Sequence, residues 1–331
     1  MAAAPLARGS ISLRLYPHDL APPAIVAEIV AQSVLAEQAG FDGVMTQEHH
    51  GGFPNYLPNP LLTATWALEE TTSLWAAPCP ILLPLRPWTQ LVEDLAWTSH
   101  RFPGRVGCGV GVGAFPLDFE MAGVPFDEMR SRFKVALPEV AAALAGHANG
   151  PVADDPGVAA LATAPIPFVV AAQGPLAVRR AARLGLGLVY DSLQTLERTR
   201  ALSDQHADEG GTAPRILIRR VWLGPPPLDA LTAQMARFRA VGPADLQEHW
   251  DPGGGLVSAL DGIELAERLH GLIVGGRCDA INLRVFQAGL SAEDVRTQIA
   301  LLGEETLPHL RSLLSEQGSA AHHRATAHPP S

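Results

Sequence analysis

Across Phe41-Asp42-Gly43-Val44-Met45-Thr46-Gln47-Glu48-His49-His50 an apolar run ends in a carboxylate and two imidazoles, and Pro58-Asn59-Pro60 breaks the chain eight residues later. An imidazole titrates near neutral pH and can accept or donate a proton, and an adjacent carboxylate can orient it or balance its charge. Successive strand residues face opposite ways, so only one of His49 and His50 can turn into a common site. One of the two histidines, with Glu48, is the candidate for catalysis, and the other is expected to be structural. Adjacent histidines lack the i, i+4 spacing of a helical zinc pair, so no metal is expected. The bland alternative is a loop in which a histidine caps a backbone group.

Three further segments carry chemistry-bearing residues. In Gly104-Arg105-Val106-Gly107-Cys108-Gly109-Val110-Gly111-Val112-Gly113, the residues Gly109, Gly111 and Ala114 satisfy GxGxxA. A dinucleotide fingerprint also needs a helix to open there, and Phe115-Pro116-Leu117 follows instead. Glycines in a strand still mark close approach of a backbone or ligand, and Gly109 and Gly111 could make room for a flat ring. Next, Ala172-Gln173-Gly174 leads into Pro175, suited to the first helical position, so the amides of Gln173 and Gly174 could bind an anion; an ordinary strand-to-helix turn has the same sequence. Last, Asn282 and Arg284 lie two apart in an apolar strand and share a face. A buried arginine is costly unless it is paired or meets a ligand anion, so Arg284 is either structural, partnered by Asp191 or Glu48, or a substrate or anion site with Asn282.

The elements that must position these residues alternate along the chain. Strand-like runs fall at 11–16, 43–46, 74–83, 106–110, 167–171, 186–190, 216–223 and 279–286. Helix-period segments fall between and after them, at 25–39, 60–70, 90–101, 129–144, 176–184, 193–208, 228–241 with 264–272, and 292–313. Eight such units predict an α/β fold, a (β/α)8 TIM barrel in one domain over 1–317, since that barrel takes about 250 residues and the surplus sits in insertions at 145–163 and 225–255. An open doubly wound sheet has the same alternation. Residues 318–331 have the composition of a disordered tail.

A net charge of −10 disfavours a nucleic-acid partner, and no apolar run approaches the ~20 residues of a membrane span. Cys79, Cys108 and Cys278 lie far apart beside apolar runs, as buried thiols do. Met1 to Ser10 lacks the pattern of a secretory signal. A cytoplasmic protein acting on small molecules is expected. Phe53, Tyr56, Trp75 and Phe115 could line an apolar pocket or belong to the core.

In order, these segments resemble the bacterial luciferase-like monooxygenase superfamily. The matches are Ala39-Gly40-Phe41-Asp42 through Glu48-His49-His50, Asn59-Pro60, Leu83-Pro84 with Arg86-Pro87, Val92-Glu93-Asp94, Gly104-Arg105-Val106 through Gly111, Asp118-Phe119 with Gly123, the turn before Leu176, Asn282-Leu283-Arg284 and Leu307-Pro308. The resemblance implies a TIM barrel that binds reduced FMN, or in a sister branch the deazaflavin coenzyme F-420, at the carboxyl-terminal ends of its strands. In flavin-using members reduced flavin and dioxygen oxygenate a small substrate, and a separate flavin reductase and a homodimer are the partners implied. His49 would lie beside the flavin ring as the catalytic histidine, with His50 turned away as the structural one, and Ala172, Gln173 and Gly174 at its phosphate. A phosphate-binding arginine of luciferase itself would fall at Val112, so that charge is missing here. The stretch after Ser192 is short, which implies less cover over the mouth.

Overall fold

The computed structural model describes residues 3–242 and 244–326. Ten strands form one parallel sheet: β1 Ile11–Arg14, β2 Gly43–Thr46, β3 Trp75–Pro78, β4 Ile81–Leu82, β5 Cys108–Gly111, β6 Phe168–Ala171, β7 Gly187–Tyr190, β8 Arg215–Leu223, β9 Leu256–Ala259 and β10 Ala280–Arg284. Their order is β3-β2-β1-β10-β8-β7-β6-β5-β4, with β9 attached to β8. The ends of this path meet. Ala76 forms a parallel bridge with Val106, and the Gly107 amide donates to the Ala76 carbonyl at 3.1 Å. Pro80 has no N–H for the ladder, so the predicted strand 74–83 divides into β3 and β4, the second pairing Leu82 with Gly111. β3 and β4 thus occupy one barrel position, and eight positions close the expected TIM barrel; an open sheet is excluded.

Parallel sheets bury both faces, and two apolar cores result. Met45, Trp75, Cys79, Val169, Val189 and Ile216 fill the barrel interior. A second cluster lies between strands and helices. The helix Pro60–Glu69 shows how local sequence serves it. Pro60 sits at the first turn, the Asn59 side chain accepts the Leu62 amide at 3.0 Å, and Pro60, Thr63, Ala64, Ala67 and Leu68 form the buried face. Full burial of Leu68 contributes roughly 1.5–3 kcal/mol, and loss of the Asn59 cap costs about 1 kcal/mol.

β9 was not anticipated. It follows Gly253-Gly254-Gly255 and pairs with Arg220–Leu223, the outer half of a β8 that runs beyond the barrel. The same insertion contributes the helix Leu228–Val241, whose Leu231 and Met235 pack on Leu193 beside Trp250. Cover over the mouth therefore comes from after β8 and not from the short stretch after Ser192. The final helix, Leu307–Thr326, continues into the segment expected to be a tail; residues 327–331 lie outside the described residues. Among the described residues no helix is long and apolar enough to cross a membrane.

Candidate active site

The polar residues gather at the carboxyl-terminal ends of the strands. The Leu82 amide, opposite Gly111 in the ladder, donates to the Glu48 carboxylate at 2.7 Å, which puts the exits of β2, β4 and β5 side by side. His49 lies there with its ring Nδ1 2.9 Å from Asp118 Oδ2. Asp118 Oδ1 accepts the His50 amide at 2.7 Å, and this carboxylate is buried. Asp118 belongs to the first turn of the short helix Pro116–Ala122 beyond β5. A carboxylate held on Nδ1 fixes the ring and leaves Nε2 for a reacting group. Phe53, Tyr56 and Phe115 surround the imidazole, with ring centroids 4.7, 4.5 and 5.0 Å away. Trp75, by contrast, is interior core.

Glu48 has a different place from the one expected. Its Oε1 meets His50 Nε2 at 2.8 Å and the Arg86 guanidinium, while Oε2 takes the Leu82 amide. It does not touch His49; the orienting carboxylate there is Asp118. Because both of its oxygens are engaged and the residue is buried, Glu48 anchors the loop and has no free edge for substrate. His50 meets Glu48, while the ring contacts are made by His49; both lie in the loop beyond β2, where strand alternation no longer applies. Asp118 stood among the family matches with no role attached, since an acidic residue in a first helical turn is explained by the helix dipole alone.

The glycine strand also divides. A Cβ on Gly109 would stand 2.2 Å from Cys79 Sγ, so Gly109 admits a core side chain and not a ring. A Cβ on Gly111 would meet Pro80 at 3.3 Å, a tight contact, and Ala171 at 3.7 Å, a less severe clash than at Gly109. Ala172, just beyond β6, packs its side chain into the core between strands and helices. Gln173 lines a small cleft, about 10 Å³, with Asp191, Gln194, His249 and Trp250. Gly174 is the N-cap of helix Pro175–Arg183; no side chain caps that end, and nothing lies within 4 Å of where its Cβ would be. Arg198 was missed by the sequence reading. Its Nη2 donates to the Gln173 carbonyl at 3.2 Å, and its Nε is buried without a partner. An uncapped helix end, open space and an underused guanidinium fit a phosphate group. Val112 packs against the core and adds no charge.

Across the mouth, Asn282 is occupied by the protein itself: Oδ1 accepts Arg14 Nε at 2.8 Å and Nδ2 donates to Ser12 Oγ at 2.9 Å. It is not available to an anion. Arg284 is. Its Nε donates to the Phe286 carbonyl at 3.2 Å, but Nη2 is buried and unpartnered. Arg220, its register partner on β8, is completely buried with Nε and Nη2 both unpartnered. Glu48 is occupied as described, Asp191 accepts the Leu193 amide at 2.7 Å, and no carboxylate pairs with either arginine among the described residues. The Phe238 ring lies 5.9 Å from the Arg220 guanidinium carbon and 5.7 Å from that of Arg284; Tyr16 lies 4.2 Å from the latter. Burial, and then the charge of Arg284, push Arg220 down to about 9. A desolvated cation–π contact is worth about 2 kcal/mol, against an effective desolvation cost of several kcal/mol per ion.

The sequence model of the luciferase-like monooxygenases matches residues 11–250. The chain belongs to this family. Among relatives, it is 32% identical over 184 residues to the F420-dependent glucose-6-phosphate dehydrogenase of Beutenbergia cavernae, covering 50% of this chain and 52% of that one. It is 32% identical over 95 residues to the 3,6-diketocamphane 1,6-monooxygenase of Pseudomonas putida, covering 29% and 25%. These matches span about a quarter to a half of the relatives' own length. In fold, the chain resembles monooxygenase RslO1 from Streptomyces bottropensis, with a TM-score of 0.75, 19% identity, and 91% and 99% of the two chains covered. An F420-dependent secondary alcohol dehydrogenase holding an F420–acetone adduct has a TM-score of 0.68 at 15% identity, covering 92% and 99%. Luciferase-like relatives are thus monooxygenases and other oxidoreductases that use a flavin or F420.

Proposed function

We propose that this chain is a flavin-dependent monooxygenase that uses reduced FMN and dioxygen to oxygenate a small organic substrate. The observation that carries the reading is the His49–Asp118 pair, set among aromatic rings at the barrel mouth, on a barrel that also carries an uncapped helix end suited to phosphate after β6. Gln173 and Gly174 would hold the phosphate through backbone amides, Arg198 would supply the charge that Val112 lacks, and Gly111 would give the ring system room. When bound, reduced flavin supplies the electrons and the partner for dioxygen. His49 moves a proton at Nε2, Asp118 holds its ring, and Glu48 with Arg86 and His50 fixes the loop that carries it. Phe53, Tyr56 and Phe115 keep water from that nitrogen. Such a positioned acid or base typically contributes 10²–10⁴-fold.

A second reading, F420-dependent hydride transfer, is favoured by the longer of the two quoted relative matches. A non-catalytic flavin-binding subunit has no need of the His49–Asp118 pair. Mixing the purified protein separately with reduced FMN and reduced F420, then admitting air, separates the three. Tight binding of reduced FMN with substrate-dependent oxygen uptake is expected. Binding of F420 alone, or of FMN with no turnover on any substrate tried, would replace the reading. A separate reductase would supply reduced FMN, and a homodimer is proposed from the family resemblance.

A further inference from the structure

We propose that Arg220 and Arg284 form an oxyanion-binding pair that receives the carboxylate of the substrate, so that the substrate is an organic acid with an apolar or aromatic body. This rests on the reading of the mouth as the active site. The two residues are cross-strand neighbours on β8 and β10, so their side chains project on the same face of the sheet, the inner one, and at the same level. Both are buried, yet between them three guanidinium nitrogens lack acceptors.

Two structural arginines of this chain look different, and Arg86, whose Nε is also buried without a partner, has the Glu48 carboxylate that Arg220 and Arg284 lack. Arg105 has all three of its nitrogens bonded, to the Leu74 and Leu68 carbonyls and to Thr71 Oγ1. Arg14, inside the barrel, donates to Asn282, Gln47 and the Cys79 carbonyl. Two adjacent like charges withdrawn from water with donors left over call for an external anion, and guanidinium forks match an oxyanion in pairs.

Its surroundings favour a carboxylate over the cofactor phosphate. The Gln173–Gly174 turn and Arg198 provide for phosphate at the exit of β6, with β7 intervening between that strand and β8. The arginine pair instead lies against the rings of Tyr16 and Phe238. From Arg284 a line of rings runs to the imidazole: Tyr16 meets Tyr56 at 5.4 Å, and Tyr56 meets His49 at 4.5 Å. A carboxylate on the pair thus directs an apolar body along this wall toward His49. Phe238 is the covering group the ligand must move aside.

Isothermal titration of the apoprotein with benzoate tests the pair without requiring turnover. Benzoate is expected to bind, benzyl alcohol not to, and Arg284→Met or Arg220→Met to weaken benzoate at least tenfold. Melting temperatures establish that the variants are folded; Arg284→Lys, which keeps the charge and loses the fork, is expected to weaken benzoate as well and serves if the methionine variants do not fold. No benzoate binding to the wild type, or equal binding to a folded variant, would overturn the proposal. The preference for FMN over riboflavin should be unchanged in Arg284→Lys and Arg284→Met. Its collapse would assign the pair to the cofactor phosphate and overturn the substrate assignment. Failure of the wild type to bind either reduced cofactor would end the flavin reading while leaving the benzoate result to stand by itself.

Discussion

The two sides of the barrel mouth handle buried charge in opposite ways. Over β2, β4 and β5 every charge has an internal counterpart: Glu48 with Arg86, His50 and the Leu82 amide, and Asp118 with His49 and the His50 amide. Over β8 and β10, Arg220 and Arg284 keep donors without acceptors and face aromatic rings. A closed network fixes geometry, and it can hold an imidazole in one orientation whether or not ligand is present. An open one stores electrostatic demand that an incoming anion satisfies. The difference separates residues that position chemistry from residues that select what arrives.

The largest effect should follow from opening the closed side. Glu48→Ala takes the counter-ion from a half-buried Arg86 and the acceptor from His50 and the Leu82 amide; breaking a fully buried pair typically costs about 3–5 kcal/mol, and water reaching Arg86 lowers that figure. Urea unfolding would measure it. A loss below about 1 kcal/mol would show that water already screens this pair.

Catalysis gives the next largest. His49→Ala should lower turnover at least about a hundredfold, roughly 2.7 kcal/mol of barrier, with cofactor affinity retained. Asp118→Asn keeps the shape but can turn an N–H toward Nδ1, so it should lower the rate with KM little changed. His50→Ala should affect stability more than rate. Near-normal stopped-flow rates for the His49 variant would return this residue to a loop histidine.

On the open side the sign reverses. Arg220→Met removes an unpaired buried charge, and replacing buried charges with apolar groups of similar size is often neutral or stabilising by about 1–4 kcal/mol. The same variant should lose benzoate, a stability gain coupled to a binding loss. A destabilised Arg220→Met would mean that the donation of Arg220 to Ser192 and to the Gly254 carbonyl outweighs its desolvation. Nearby, Arg198→Ala should weaken FMN about tenfold and leave riboflavin unaffected, because one charge-assisted hydrogen bond is worth about 1.5–3 kcal/mol.

Much of this was legible in the sequence because period and punctuation are local. The segments 43–46 and 129–144 coincide with β2 and with the helix Met129–Leu144, and Pro175 opens its helix as its fixed φ prescribes. What was not legible is set by tertiary contact. Asp118 reaches His49 across 69 residues, Arg198 reaches Gln173 from a later helix, and Gly109 is required by Cys79 between β3 and β4. The solitary Asn282, which looked like half of an anion site, is satisfied by Arg14 and Ser12 of an adjacent strand. Residue type proposes that a polar group is buried, and only the neighbours decide whether it is already satisfied.

His206 sharpens the comparison from outside the mouth, and with the smallest effect. It is fully buried on the helix Leu196–Asp208, with Nε2 2.9 Å from the Leu186 carbonyl and Nδ1 without a partner. Like the arginines it has an unsatisfied nitrogen, but it can give up its charge. Burial lowers its pKa below the usual 6.5, against the Leu186 carbonyl and Asp279, which raise it, and with Arg215 and Arg8, which lower it further. The folded protein therefore keeps a neutral ring where the unfolded chain takes up a proton. Because the unfolded state then binds more protons, stability rises with pH, and it falls as pH drops below about 6.5 toward the folded value. His206→Gln retains an N–H for the Leu186 carbonyl and removes the titration. Unfolding free energies compared between about pH 5.5 and 7.5 should show a shallower slope in the variant, with a remainder from His18, which burial also lowers. An unchanged slope would mean that the imidazole already takes its proton within the fold. Neutralisation would then no longer be how this chain accommodates an orphaned buried nitrogen, and the contrast with arginines that stay charged at neutral pH would lose its basis.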